Sequence, residues 1–263
     1  MFLVVIRFES DNMAKESKFG QCRLCHNMRD LQKSHIIPAF FYEPLFSSGH
    51  FMGRFSSSFG GRIDAVSDGI KERLLCEECE HFLNREFETY ARNMFFGNEP
   101  LTVTEEPTKL YFGGIDYARF KLFLISLFWR MGVATNPFFE IVKLGPHEPR
   151  MREMILNKIP GPPHEYGCIV SAIERDKPGR EQTITTPFHS RIEGQNVYKI
   201  VIAGYAFAML VSNRSDKLSR QDYFIREDGI LRIDMIKAEQ IRFLVDTYHW
   251  IAPIQTREQF ELK

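Results

Sequence analysis

The chain has no surplus of charge of either sign: 34 Lys and Arg stand against 34 Asp and Glu over 263 residues. A globally basic polyanion binder is excluded, and any nucleic-acid contact has to come from a local basic face. Long apolar runs are also missing. The start, Met1 to Ile6, is apolar, but Arg7 interrupts it too early for a secretory signal or a membrane span. Neither a glycine-rich phosphate loop, an internal repeat nor a low-complexity tract is present. Cysteine is scarce, at five residues. With no secretory signal to imply an oxidising compartment, its clustering reads as metal ligation in a reducing, cytoplasmic setting.

Four of the five cysteines form two C-x-x-C pairs, Cys22/Cys25 and Cys76/Cys79. Each such turn offers two thiolates at a spread that suits tetrahedral zinc, so the two pairs make one complete structural site. Cys22-Arg-Leu-Cys25-His26 also matches the c-type haem attachment string. That reading requires export and an apolar haem pocket, and it leaves the second pair unexplained. Cys168 sits in an apolar, strand-like run and reads as a small buried hydrophobe.

Between the pairs lies Ser34-His35-Ile36-Ile37-Pro38, read as a strand that stops at the proline, with His35 and Ile37 on one face. After the second pair, Phe82, Leu83, Phe87, Tyr90, Ala91, Met94 and Phe95 recur at helical spacing. On that helix Glu80 and Asn84 are four apart and share a face, the spacing at which one helix offers two oxygen donors to a hard cation.

This order of parts, from Gln21 to Asn93, resembles the HNH endonucleases of the zinc-stapled ββα-metal (treble-clef) type. The resemblance implies hydrolysis of phosphodiester bonds in nucleic acid, DNA first, with His35 as general base. It implies structural Zn²⁺ on Cys22, Cys25, Cys76 and Cys79, and catalytic Mg²⁺ or Mn²⁺. Glu80 takes the place of the ligand after the last cysteine, Asn84 that of a second helical ligand, and Ser34 that of the acidic or His residue before the base. A serine there is a departure, which the carboxylate of Glu80 is expected to offset. The family's insert often carries an Asn that orients the base. None occurs between Asn27 and Asn84, and Asp64, Ser67 and Asp68 are the substitutes to consider. His50, His81 and Glu86 read as surface or supporting residues.

The expected fold is α+β: an N-terminal treble-clef ββα-metal zinc module, a helical connector, then a mostly antiparallel sheet with helices. The expected units are an extension over 1–20, the zinc module over 21–98 and a companion over 112–263. Residues 1–12 are expected as a short strand or a non-native extension, with Met13 an alternative start. Residues 39–46 read as a short helix, 97–115 as a connector, 116–134 as a buried core helix and 150–158 as a short helix. Strands are expected over 166–173, 181–188, 197–211 and 223–233, with a tight hairpin at 227–230 and a last helix over 237–248. The 24 Phe residues are expected in the core. The companion offers a surface for DNA, a partner protein or a second copy, with no membrane contact. Two other functions fit the same sequence: a non-catalytic zinc-stabilised binding module, or a regulatory subunit that works through the 112–263 sheet.

Overall fold

One helix lies at the centre of the fold. In the computed structural model, which describes residues 18–43, 52–55, 63–66, 69–174, 184–212 and 221–237, the helix Tyr117–Val133 is buried from Phe120 to Met131 on every side. We call it α2. Its sequence is apolar all round, which is the pattern of a helix enclosed by other elements. Asp116 caps it, with its carboxylate accepting from the Arg119 amide at 3.0 Å. No helix among the described residues is long and apolar enough to cross a membrane.

On one side of α2 lies a three-stranded sheet in the order β1-β2-β5, from Phe19–Gln21, Met28–His35 and Lys71–Cys76. The β2 and β5 strands are antiparallel, with an irregularity between Leu31 and Lys33. A separate hairpin joins β3 (Met52–Phe55) to β4 (Ile63–Val66). Helix α1 follows β5 directly: Glu77–Leu83 is α-helical, Asn84–Glu88 makes a π-helical turn, and Thr89–Phe95 returns to α geometry. Periodicity predicts the helix but not the π turn.

On the other side lies a seven-stranded sheet. Its strands are β6 (Thr102–Glu106), β7 (Lys109–Gly113), β8 (Cys168–Ile173), β9 (Phe188–Ile192), β10 (Gln195–Ile202), β11 (Tyr205–Leu210) and β12 (Leu231–Ile236). The order is β6-β7-β12-β8-β11-β10-β9, antiparallel throughout except for the parallel pair β12 and β8. A third helix, α3, spans Glu148–Asn157. The chain is thus mixed α+β, and the core helix and α3 fall where the periodicity puts them.

Four expectations change. The connector over 97–115 contains the β6–β7 hairpin, an edge of the large sheet whose β6 residues are all exposed and so carry no alternating pattern. The strand over 181–188 is reduced to an isolated bridge at Ile184, and β9 begins only at Phe188. The run 197–211 is two strands joined at Ala203-Gly204, both with positive φ (49° and 84°), as a two-residue hairpin requires. Ala is an uncommon residue there, and the apolar run hides the turn. The tight turn at 226–230 forms, with the Gly229 amide donating to the Arg226 carbonyl at 3.0 Å. It is preceded by a short 3₁₀ turn, Gln221–Tyr223, in place of a strand. Residues 1–17 and 238–248 lie outside the described residues.

One hydrophobic core runs from Cys22 to Ile233, across the boundary expected near 98–112. Phenylalanines join its parts. Phe41, in the 3₁₀ turn Ala39–Tyr42, lies 5.6 Å from Phe207 of β11 between ring centroids, and 6.2 Å from Phe123 of α2.

A candidate metal centre and the cleft beside it

The four paired cysteines converge. Their sulfurs all lie within 4.8 Å of one another, and Cys25 Sγ is 3.9 Å from Cys76 Sγ. Corners of a zinc–thiolate tetrahedron with bonds of ~2.3 Å are ~3.8 Å apart, so the set fits zinc. The first pair is held by a tight turn. The His26 amide donates to the Cys22 carbonyl at 2.9 Å, and His26 takes a positive φ of 62°. The second pair straddles the junction of β5 and α1, with Cys76 the residue before the helix. The Cys76 amide donates to Cys22 Sγ at 3.3 Å. A hydrogen bond from Cys79 pulls the Cys22 thiol down to about 4, and the same contact pushes Cys79 up. The cluster therefore favours thiolate at Cys22, the form that binds metal. His26 is exposed and stands apart from the four sulfurs.

Next to this cluster opens a cleft of about 310 Å³. His35, from the end of β2, lines it together with Glu80, His81, Asn84, Glu88 and Arg130. Three of these residues follow from helix geometry. Glu80, Asn84 and Glu88 are spaced by four, and an α-helix lets such a series drift by about 40° per step. The wider π turn over Asn84–Glu88 winds that drift back and keeps Glu88 above the cleft.

Glu80 is mostly buried. Burial pushes its carboxyl above the usual range, opposed by a hydrogen bond from Ser34 and by the charge of Arg130. Its Oε1 is buried and has no hydrogen-bond partner among the described residues. Ser34 does not line the cleft. It is 1% exposed, and its hydroxyl accepts from the Leu75 amide at 3.2 Å while contacting Glu80. Strand alternation accounts for this, because it turns Ser34 inward where His35 faces the cleft. The His35 ring lies 6.0 Å from that of Tyr42. Asn84 Oδ1 accepts from Thr89 Oγ1 at 3.3 Å. Glu86 lies away from the cleft, paired with Arg85 and Lys158. Of the insert residues considered as substitutes for an Asn, only the backbone of Asp64, in β4, is among those described. His50 is outside them.

Four charged residues of the cleft, Glu43, Glu88, Arg92 and Arg130, escape the sequence reading. Glu88 continues the spacing of Glu80 and Asn84, so an extended helical wheel would have found it. Arg130 lies in the middle of the most apolar stretch of the chain, and an arginine at such a place is itself a signal, since buried cations need partners. No protein-family model, no curated protein and no solved structure matches this chain.

Proposed function

We propose that the chain is a metal-dependent endonuclease of HNH type, hydrolysing phosphodiester bonds in nucleic acid, with DNA the first substrate to test. The observation that carries this reading is that His35, Glu80 and Asn84 line one cleft beside the four-cysteine cluster. In this reading β2, β5 and the start of α1 form the treble-clef ββα module, and Zn²⁺ on Cys22, Cys25, Cys76 and Cys79 staples it.

His35 takes the proton of the attacking water, a role suited to a neutral imidazole near pH 7. Glu80 and Asn84 hold Mg²⁺ or Mn²⁺, and the unpartnered buried oxygen of Glu80 fits a hard cation. When bound, such an ion supplies Lewis-acid stabilisation of the crowded phosphate and the departing oxygen. Ser34 takes part as the residue that positions Glu80 rather than as a ligand.

The test is cleavage of supercoiled plasmid with Mg²⁺ or Mn²⁺, wild type beside His35→Ala, with zinc measured in both. His35→Ala should keep its zinc and lose roughly 10²-fold or more in rate, the usual share of a positioned base. Equal cutting by both proteins would remove His35 as base. Zinc retention with cutting by neither would favour the binding-module reading.

A further inference from the structure

Arg130 connects the core helix to the cleft, and nothing in the zinc-module pattern anticipates it. The residue is 1% exposed, on the face of α2 turned towards β2 and α1. Its Nη1 donates to the His35 carbonyl at 3.1 Å and pairs with Glu88 Oε1 at 2.6 Å. Its Nε reaches the Ser126 carbonyl at 3.4 Å. Stability alone is a weak reason for such an arrangement. An apolar side chain of similar volume in an otherwise apolar helix is commonly at least as stable as a buried ion pair. What the guanidinium does here is tie together two points that belong to the cleft lining. One is the backbone at the end of β2, which carries His35. The other is Glu88 at the end of the π turn, one step along from Asn84.

We propose that Arg130 is a positioning residue that sets the separation between the His35 base and the Glu80/Asn84 side of the cleft. This rests on the nuclease reading above. It also implies that the zinc module is not a self-sufficient catalyst, because one part of its site comes from a helix outside it. Titratable groups facing Arg130 from the packed elements are His35 on β2 and Glu80 and Glu88 on α1. Both contacts are made by Nη1, while Nη2 is buried without a hydrogen-bond partner among the described residues, so the task asks for one cationic nitrogen between a carbonyl and a carboxylate.

The experiment uses the full chain and a short duplex with Mg²⁺ or Mn²⁺, reading kcat and KM separately for Arg130→Met, Arg130→Lys, Arg130→Ala and Glu88→Gln. Zinc content and thermal midpoint are measured alongside. Arg130→Met should keep zinc and fold, lose about 10²-fold in kcat and change KM by less than about threefold, as a misplacement near 1 Å does. Arg130→Lys, which keeps one cationic nitrogen able to meet both oxygens, should recover part of the rate, as should free guanidinium added to Arg130→Ala. If Arg130→Met fails to fold, Glu88→Gln carries the test with an expected loss of about tenfold in kcat. Wild-type kcat in a folded Arg130→Met or Glu88→Gln overturns the proposal. So does a change confined to KM, which would make Arg130 a substrate contact. Undiminished cutting by His35→Ala instead removes the nuclease reading of the cleft, and this inference with it.

Discussion

The two sheets of this chain are held together by different means. Both sheets contribute to one core, but unequally: five of the eight residues of β10 are buried, and three of the six of β11. The three-stranded sheet buries less: β1 has no buried residue, β2 buries Leu31 and Ser34 of its eight, and β5 buries Leu74, Leu75 and Cys76 of its six. Its tightest convergence is the cluster of four sulfurs. Small layers with little apolar area are routinely completed by a metal or a disulfide. The cleft lies beside the three-stranded layer and its cysteine cluster, and α2 reaches it through Arg130.

The largest way to sharpen this contrast is to remove the metal. Chelation of zinc should release amide protection in β1, β2, β5 and the first turn of α1 while β8, β10 and β11 stay protected, read by hydrogen exchange. A structural zinc site contributes on the order of 10 kcal/mol to the fold it closes. Uniform loss across both sheets would show that the two layers melt as one.

A smaller effect tests the other layer. Phe207→Ala removes a ring that meets Phe41, Phe95 and Tyr205, and should cost about 3–5 kcal/mol by denaturant titration. Zinc content of the folded fraction should not change. Loss of zinc at denaturant levels where the variant is still folded would mean that the aromatic junction holds the thiolates as well.

The smallest concerns Lys121, the other buried cation of α2. Its ammonium meets the Tyr117 hydroxyl and the carbonyls of Gly161 and Pro162, with no carboxylate among these contacts. Burial pulls it from its ordinary 10.5 down to about 8. The unfolded chain then holds this proton over a range where the folded chain has released it. Lys121 therefore makes stability rise with pH between about 8 and 10.5. Lys121→Met should flatten that rise in a pH series of denaturant midpoints. An unchanged slope would mean that the three oxygens keep the amine charged.

Local patterns were legible and long-range ones were not. The cysteine pairs, the apolar stripe of α1 and the all-round apolar α2 each announce themselves within twenty residues. So do Glu80 and Asn84 as a shared face, while His35 stands out only as an isolated histidine between two distant cysteine pairs. The π turn is silent, because it shifts phase without changing composition. The β6–β7 edge is silent because edge strands need no apolar face. The link from Arg130 to the His35 carbonyl joins positions ninety-five apart, and no spacing rule reaches that far. The motif position of Ser34 suggests a ligand, while strand alternation turns its hydroxyl inward, onto the Leu75 amide.

The π turn over Asn84–Glu88 makes α1 a helix of two phases. Were the same residues wound as regular α-helix, everything beyond would turn by roughly one residue's worth, about 100°. Tyr90 and Ala91 would swing out of the core, and the Tyr90 hydroxyl would lose the Asp116 amide that it accepts from at 2.7 Å where α2 begins. The irregular turn is thus a phase converter. It lets one continuous rod present acidic residues to a cleft at one end and pack a hydrophobic seam at the other.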